Sequence, residues 1–198
     1  MPVVDVTTCM ATILTVFGTG EGQTAKIADS ITEEFRASGH EATTVNVAEI
    51  DPELDIDEFD AVLIGASVHY GRQQKSVRRW VKANREVLVR TPNGFFQVSG
   101  ASGAKNDEGL AEATGYLDKF INATNWQPDR IALFGGALRF SEYGFLKRAL
   151  LKFIVRNQEF ETDESGDAEL TDWESVVSFA GEFAVFVEER LGEAVEAD

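Results

Sequence analysis

The feature that most constrains this chain is a glycine-rich hexapeptide, Thr19-Gly20-Glu21-Gly22-Gln23-Thr24, lodged between an apolar run and an amphipathic stretch. The run before it, Thr12-Ile13-Leu14-Thr15-Val16-Phe17, reads as a buried strand. The stretch after it, Thr24 to Ala37, lines up Ile27, Ile31, Glu34 and Phe35 as a stripe and stops at Gly39. A strand–turn–helix unit of this kind leaves unpaired backbone N–H groups at the helix start, where the helix dipole favours an anion. Gly20 and Gly22 permit close backbone approach, Thr19 and Thr24 bring hydroxyl donors, and Gln23 brings an amide. Glu21 is expected to turn its carboxylate to water while its N–H faces the anion. The loop has no Gly-Lys-Ser/Thr ending, and Gln23 and Ala25 occupy places where a dinucleotide fingerprint requires glycine. The spacing therefore predicts one phosphate nest and excludes both common nucleotide motifs.

The same alternation continues down the chain. Further strands are expected at Ala42 to Val47, Ala61 to Gly65, Gly94 to Val98 and Arg130 to Phe134. Between them lie a loop from Ala66 to Gln73, a helix carrying Val77, Trp80, Val81 and Val87, a small-residue loop from Ser99 to Asn106, and a helix from about Glu108 to Ala123. A last helix is predicted from Thr171, where Thr171 and Glu174 have capping-box spacing, with Val176, Val177, Phe179, Phe183 and Val187 turned inward. Five short strands separated by helices predict an α/β fold, a five-stranded parallel sheet with helices on both faces. It is read as a single flavodoxin-like domain over residues 11–192, with ligands at the carboxyl ends of the strands. Residues 136–167 are too many for an ordinary connection between strand five and the last helix, so they form an insertion. Residues 1–10 have no place in the alternation. They read as a flexible tail, or as a start assigned too early, with Met10 the true one.

Charge narrows the partners. Lys and Arg number 18 against 34 Asp and Glu, a net charge of -16, which repels nucleic acid. Acids spread over the whole chain also fit a surface adapted to high salt, the alternative being an ordinary acidic protein. Two segments run against this balance: Arg72 to Arg90 holds seven bases and one acid, Glu86, and Arg139 to Arg156 holds five bases and one acid, Glu142. Both invite an anionic partner, and each alternatively pairs with acidic neighbours. The single cysteine, Cys9, forms no internal disulfide, and neither a secretory leader nor a membrane span is present in the pattern. A cytoplasmic protein is expected, and nothing in the residue pattern suggests a metal site.

Two further loops fall at the same sheet edge as the hexapeptide, Ser67-Val68-His69-Tyr70-Gly71 after strand three and Ser99-Gly100-Ala101-Ser102-Gly103 after strand four. Tyr70 offers a ring to stack on a planar group, backbone N–H groups can meet its polar edge, and His69 is either a donor or a plain surface histidine. The hexapeptide resembles the loop that holds the FMN phosphate in flavodoxins. The run Gly65-Ala66-Ser67-Val68-His69-Tyr70-Gly71 resembles the second flavin loop of the menaquinone-dependent protoporphyrinogen IX dehydrogenases, a flavodoxin-like family of haem biosynthesis. So do Gly22-Gln23-Thr24, Trp126-Gln127-Pro128-Asp129-Arg130, Gly136-Ala137-Leu138-Arg139-Phe140 and Thr171-Asp172-Trp173-Glu174, in the family's order. His69 departs from that pattern, standing where an Arg is expected, and the third loop is short and glycine-rich.

The resemblance implies FMN as cofactor, protoporphyrinogen IX as electron donor and menaquinone as acceptor. Arg139 is the residue expected to pair with a porphyrin propionate, because guanidinium binds carboxylate bidentately. No catalytic acid or base is identifiable. Within the insertion, Phe145, Leu146, Ala149, Leu150, Phe153 and Ile154 would share one helical face opposite Lys147, Arg148, Lys152 and Arg156. Such a helix at 143–156 either lies on a membrane surface, giving peripheral contact at the inner face of the cell membrane, or packs as core. Two other functions compete with the dehydrogenase reading: a plain flavodoxin electron carrier, which needs no lipophilic cover, and an NAD(P)H:quinone reductase, for which no second nucleotide fingerprint exists.

Overall fold

The computed structural model describes residues 10–104, 106–138 and 168–196. Five parallel strands form its centre: β1 (Thr12–Gly18), β2 (Glu41–Asn46), β3 (Ala61–His69), β5 (Asn93–Ser99) and β6 (Arg130–Gly135), in the order β2-β1-β3-β5-β6. The sequence places these strands within a residue or two, except that β3 runs four residues further than its apolar core suggests. Central strands β1, β3 and β5 are almost wholly buried, which is why they read as continuous apolar runs rather than alternating ones.

Two layers of helix sandwich the sheet. On one face α1 (Gln23–Ala37) and the last helix, α6 (Trp173–Glu196), bury Ile27, Ile31, Phe35, Val176, Phe179, Phe183 and Val187 against Ile13, Leu63, Phe96 and Phe134. Phe183 touches Phe35, Phe179 and Phe186 at centroid distances of 5.7–6.2 Å, so one ring links both helices. On the other face α2 (Lys75–Ala83), α3 (Arg85–Arg90) and α5 (Asp107–Thr124) bury Val77, Val81, Leu88, Leu117 and Phe120 against Val62, Ile64 and Phe95. The single helix expected between strands three and four is thus two, broken at Asn84, whose side-chain amide donates to the Trp80 carbonyl at 2.9 Å and competes with the helix ladder.

Three sequence expectations are corrected here. The loop proposed over Ser67 to Gly71 is a strand end and a hairpin: Ser67, Val68 and His69 belong to β3, which pairs antiparallel with β4 (Arg72–Gln73). Tyr70 and Gly71 form the two-residue turn with φ of 50° and 74°, the positive pair that a tight hairpin requires. The loop from Ser99 likewise begins as a helical turn, α4 (Gly100–Gly103), capped by Ser99 Oγ, which accepts from Ser102 N at 3.0 Å. The capping box at Thr171 does not form. Asp172 caps α6 by accepting from Ser175 N, while the Thr171 hydroxyl donates to the Gly135 carbonyl at 2.8 Å, and Val177 points to solvent.

The insertion is entered by β7 (Ala137–Leu138) and left by β8 (Ala168–Glu169), which pair antiparallel beside the carboxyl end of β6. Arg139, the amphipathic stretch at 143–156 and residues 1–9 lie outside the described residues. No helix among the described residues is long and apolar enough to cross a membrane.

Candidate functional site

A cleft opens at the carboxyl edge of the sheet, where the crossovers of β1 and β3 diverge to opposite faces. Thr19, Glu21, Gln23, Thr24, Ser67, Val68, His69, Ser99 and Gly100 line it, so all three loops singled out in the sequence meet there. Val98, Gly136 and Ala137 also line it. These three were missed as site residues. Gly136 and Ala137 directly follow the last strand and so reach the same edge; in the sequence they open both a family motif and the insertion, and neither reading gives them a site role. Among the described residues, no group of acids, histidines or cysteine is arranged to hold a metal ion.

The hexapeptide leaves the start of α1 without a side-chain cap. Gly22, with φ of 88°, is the N-cap of α1, so no side chain caps this helix, and its first turn holds no acid. Thr19 Oγ1 accepts from Gly22 N at 2.9 Å and folds the loop back on itself. Thr24 is fully buried, and its Oγ1 has no hydrogen-bond partner among the described residues. A buried hydroxyl left without a partner is costly, and it stands where an acceptor in the loop would complete it.

His69 closes the loop from the side. A Cβ placed on Gly20 would run into the His69 ring, so glycine is required there by the imidazole rather than by backbone dihedrals. His69 Nε2 is itself buried and without a partner among the described residues. The histidine therefore rests on the phosphate loop from the neighbouring strand, with a ring nitrogen still to be satisfied at the cleft. That favours the donor reading over the surface one.

Other predicted residues are already committed. Gln23 Nε2 donates to Glu169 Oε1 at 3.0 Å and to Thr171 Oγ1 at 2.8 Å, so its amide N–H groups tie α1 to the segment before α6 instead of facing the cleft. Its Oε1 remains buried and unpaired among the described residues. Ser99 and Ser102 hydroxyls bond each other at 2.6 Å and serve the α4 cap. Ala101, Ser102 and Gly103 do not line the cleft, and a Cβ on Gly103 would strike Leu170. Gly100, by contrast, is open and cleft-lining. Tyr70 projects from the hairpin tip, 91% exposed, and neither it nor Gly71 lines the cleft. Beneath that hairpin lies Tyr116, whose hydroxyl donates to Glu112; that carboxylate raises the phenol pKa to about 12, so the hydroxyl stays protonated at neutral pH.

The Trp126-to-Arg130 motif lies at the other end of the sheet. Trp126 is 1% exposed and packs edge-on against Phe95 and Phe120, and Asp129 accepts from the backbone and side-chain N–H groups of Asn93. Its signature value is structural: it seats the turn into β6.

Comparison with known proteins agrees with this architecture. A flavodoxin-domain family model matches residues 14–165. Protoporphyrinogen IX dehydrogenase (quinone) from Escherichia coli is 34% identical over 86% of this chain and 93% of its own length. The Leishmania major protein of the same name is 30% identical over 86% of this chain and 74% of its own. Among solved structures, oxidised flavodoxin 1 from Bacillus cereus superimposes with a TM-score of 0.52 at 14% identity, covering 87% of this chain and 97% of that one.

Proposed function

The chain belongs to the flavodoxin-domain family, and within it to the protoporphyrinogen IX dehydrogenases, and from that premise we propose that it oxidises protoporphyrinogen IX to protoporphyrin IX with menaquinone as acceptor, in haem biosynthesis. The observation that carries the reading is the combination of that kinship with a carboxyl-edge cleft whose lining residues hold three buried groups without a partner among the described residues, Thr24 Oγ1, His69 Nε2 and Gln23 Oε1.

FMN is the cofactor, and it supplies the two-electron redox chemistry when bound. The residues present fit it. The backbone N–H groups of Gly20 to Thr24 and the hydroxyls of Thr19 and Thr24 would take its phosphate, where the α1 dipole stabilises negative charge. Ser67, Val68, His69, Tyr70 and Gly71 on one side and Ser99 and Gly100 on the other would hold the ring system, with Tyr70 as the exposed flat surface at its rim. Gln23 acts one step back, fixing the loop through Glu169 and Thr171.

Conversion of protoporphyrinogen IX to protoporphyrin IX removes six electrons and six protons, so three quinones are reduced to quinols for each porphyrin formed. The protein's part is to place a carboxylate-bearing tetrapyrrole donor and a lipid-soluble acceptor at one edge in turn. The test is a steady-state assay under anaerobic conditions with a menaquinone or a ubiquinone analogue, following porphyrin fluorescence and quinol together. The proposal requires fluorescence to rise only when quinone is present, faster with the menaquinone analogue, at three quinols per porphyrin. Quinol formation driven by NAD(P)H without any porphyrinogen requirement would replace it with a reductase.

A further inference from the structure

Helix α2 presents a cationic stripe that no described residue pairs with. Lys75, Arg78, Arg79 and Lys82 recur at i, i+3, i+4 and i+7, the spacing of one helical face. Val77 and Val81, fully buried, mark the opposite face, so the stripe looks outward. Lys75, Arg79 and Lys82 are exposed and Arg78 is half-buried. Arg72, also exposed, extends the stripe onto the β3–β4 hairpin.

None of these five side chains makes an ion pair or hydrogen bond among the described residues. Farther along, Arg90 pairs with Asp57 and Arg85 donates to the Asn125 carbonyl, so the segment's other two bases are accounted for. In a chain with 34 acids and 18 bases, four cations stacked on one face without an acid among them is a local inversion of the whole surface. Like charges at i, i+3 and i, i+4 destabilise a helix, so the arrangement is held against a cost.

Position supplies the rest. The helix begins directly after the hairpin that ends at the cleft, and Gln74, its N-cap residue, donates its side-chain amide to Ser67 of the cleft wall. The stripe therefore starts at the carboxyl edge and runs about 10 Å down the flank of the domain. The acceptor in the function proposed above is a quinone dissolved in lipid, and the next step rests on that reading. A domain with net charge -16 is repelled by an anionic bilayer everywhere except where a cationic face leads.

We propose that the outer face of α2, from Lys75 to Lys82 with Arg72, docks on the anionic headgroups of a bilayer and brings the cleft edge to the membrane quinone. In sequence this segment is distinct from the stretch at 143–156, and it contributes charge rather than apolar depth.

The test is co-sedimentation of the full FMN-loaded chain with phosphatidylcholine vesicles and with vesicles containing roughly one third phosphatidylglycerol, over a range of salt. The triple variant Lys75→Gln, Arg79→Gln, Lys82→Gln is compared with the parent. The parent is expected to prefer the anionic vesicles and to lose that preference at about 1 M salt, where the Debye length shrinks to about 3 Å. The variant should bind anionic vesicles at least tenfold more weakly, counting about one order of magnitude or more for three lost surface charges. Its thermal midpoint and FMN affinity should be unchanged, or the midpoint slightly raised by relieved repulsion. Equal binding of variant and parent, or no preference of the parent for anionic vesicles at any salt, would overturn the proposal. Turnover with a water-soluble quinone analogue reads the underlying function separately. If that persists while vesicle binding is unaffected by the variant, only the docking surface fails; if it is absent, the function itself fails.

Discussion

Thr24 and His69 each carry a buried group without a partner among the described residues, and each yields a clean substitution. Thr24→Val keeps shape and removes only the hydroxyl, which in the structure bonds to nothing among the described residues. Apoprotein stability should therefore stay level or rise. FMN affinity should fall about tenfold or more, the worth of one hydrogen bond to a charged acceptor at roughly 1.5–3 kcal/mol. Fluorescence titration of the apoprotein reads this; equal affinity would place the phosphate elsewhere. Gly20→Ala tests the contact between loops. Its methyl group displaces the His69 ring, so FMN binding should weaken, and the loss should shrink when His69 is already Ala. Simple additivity of the two changes would show that the ring does not mediate the effect. The glycines, threonines and the three loops were legible in the sequence because strand–turn–helix order dictates which edge they reach. The His69 contact was not legible, because it joins residues 49 positions apart through register alone.

Among the elements, α6 shows where local pattern misleads. Thr171 and Glu174 have the right spacing for a capping box, yet Thr171 is drawn to the Gly135 carbonyl and the Gln23 amide, leaving Asp172 to cap. Tertiary hydrogen bonds outcompeted a local motif. Asp172→Ala should accordingly cost about 1 kcal/mol in chemical denaturation, while Glu174→Ala should cost almost nothing. The reverse ranking would restore the capping box. The Gln23–Glu169–Thr171 bonds also pin the exit of the insertion to the start of α1. Gln23→Ala removes two of them and should lower the melting temperature by a few degrees, about 2–4 °C per kcal/mol in a chain of this size. It should also weaken FMN binding, since the loop loses its anchor. The extension of β3 to His69 escaped the sequence reading for a similar reason: the apolar run ends before Ser67, which pairs with Val98 of β5, and only pairing with β4 makes Val68 and His69 strand.

For the molecule as a whole, the doubly wound order was readable because burial on both faces makes the central strands uninterrupted apolar runs, and crossover helices follow each one. What composition could not show was how charge is distributed in space. Seven bases between Arg72 and Arg90 could have been neutralised by acidic neighbours, and among the described residues only Arg90 is. Nor could it distinguish signature residues that act at the cleft from those, such as Trp126, that hold the far end of the core. The central claim is that this cleft carries FMN and accepts electrons from protoporphyrinogen IX. Anaerobic mixing of the FMN-loaded protein with protoporphyrinogen IX, without quinone, tests it most directly. The account predicts that the yellow flavin absorbance bleaches as porphyrin absorbance appears, and that added menaquinone analogue restores the yellow form. Flavin that stays fully yellow with protoporphyrinogen IX, yet bleaches with a chemical reductant and recovers with quinone, would contradict it.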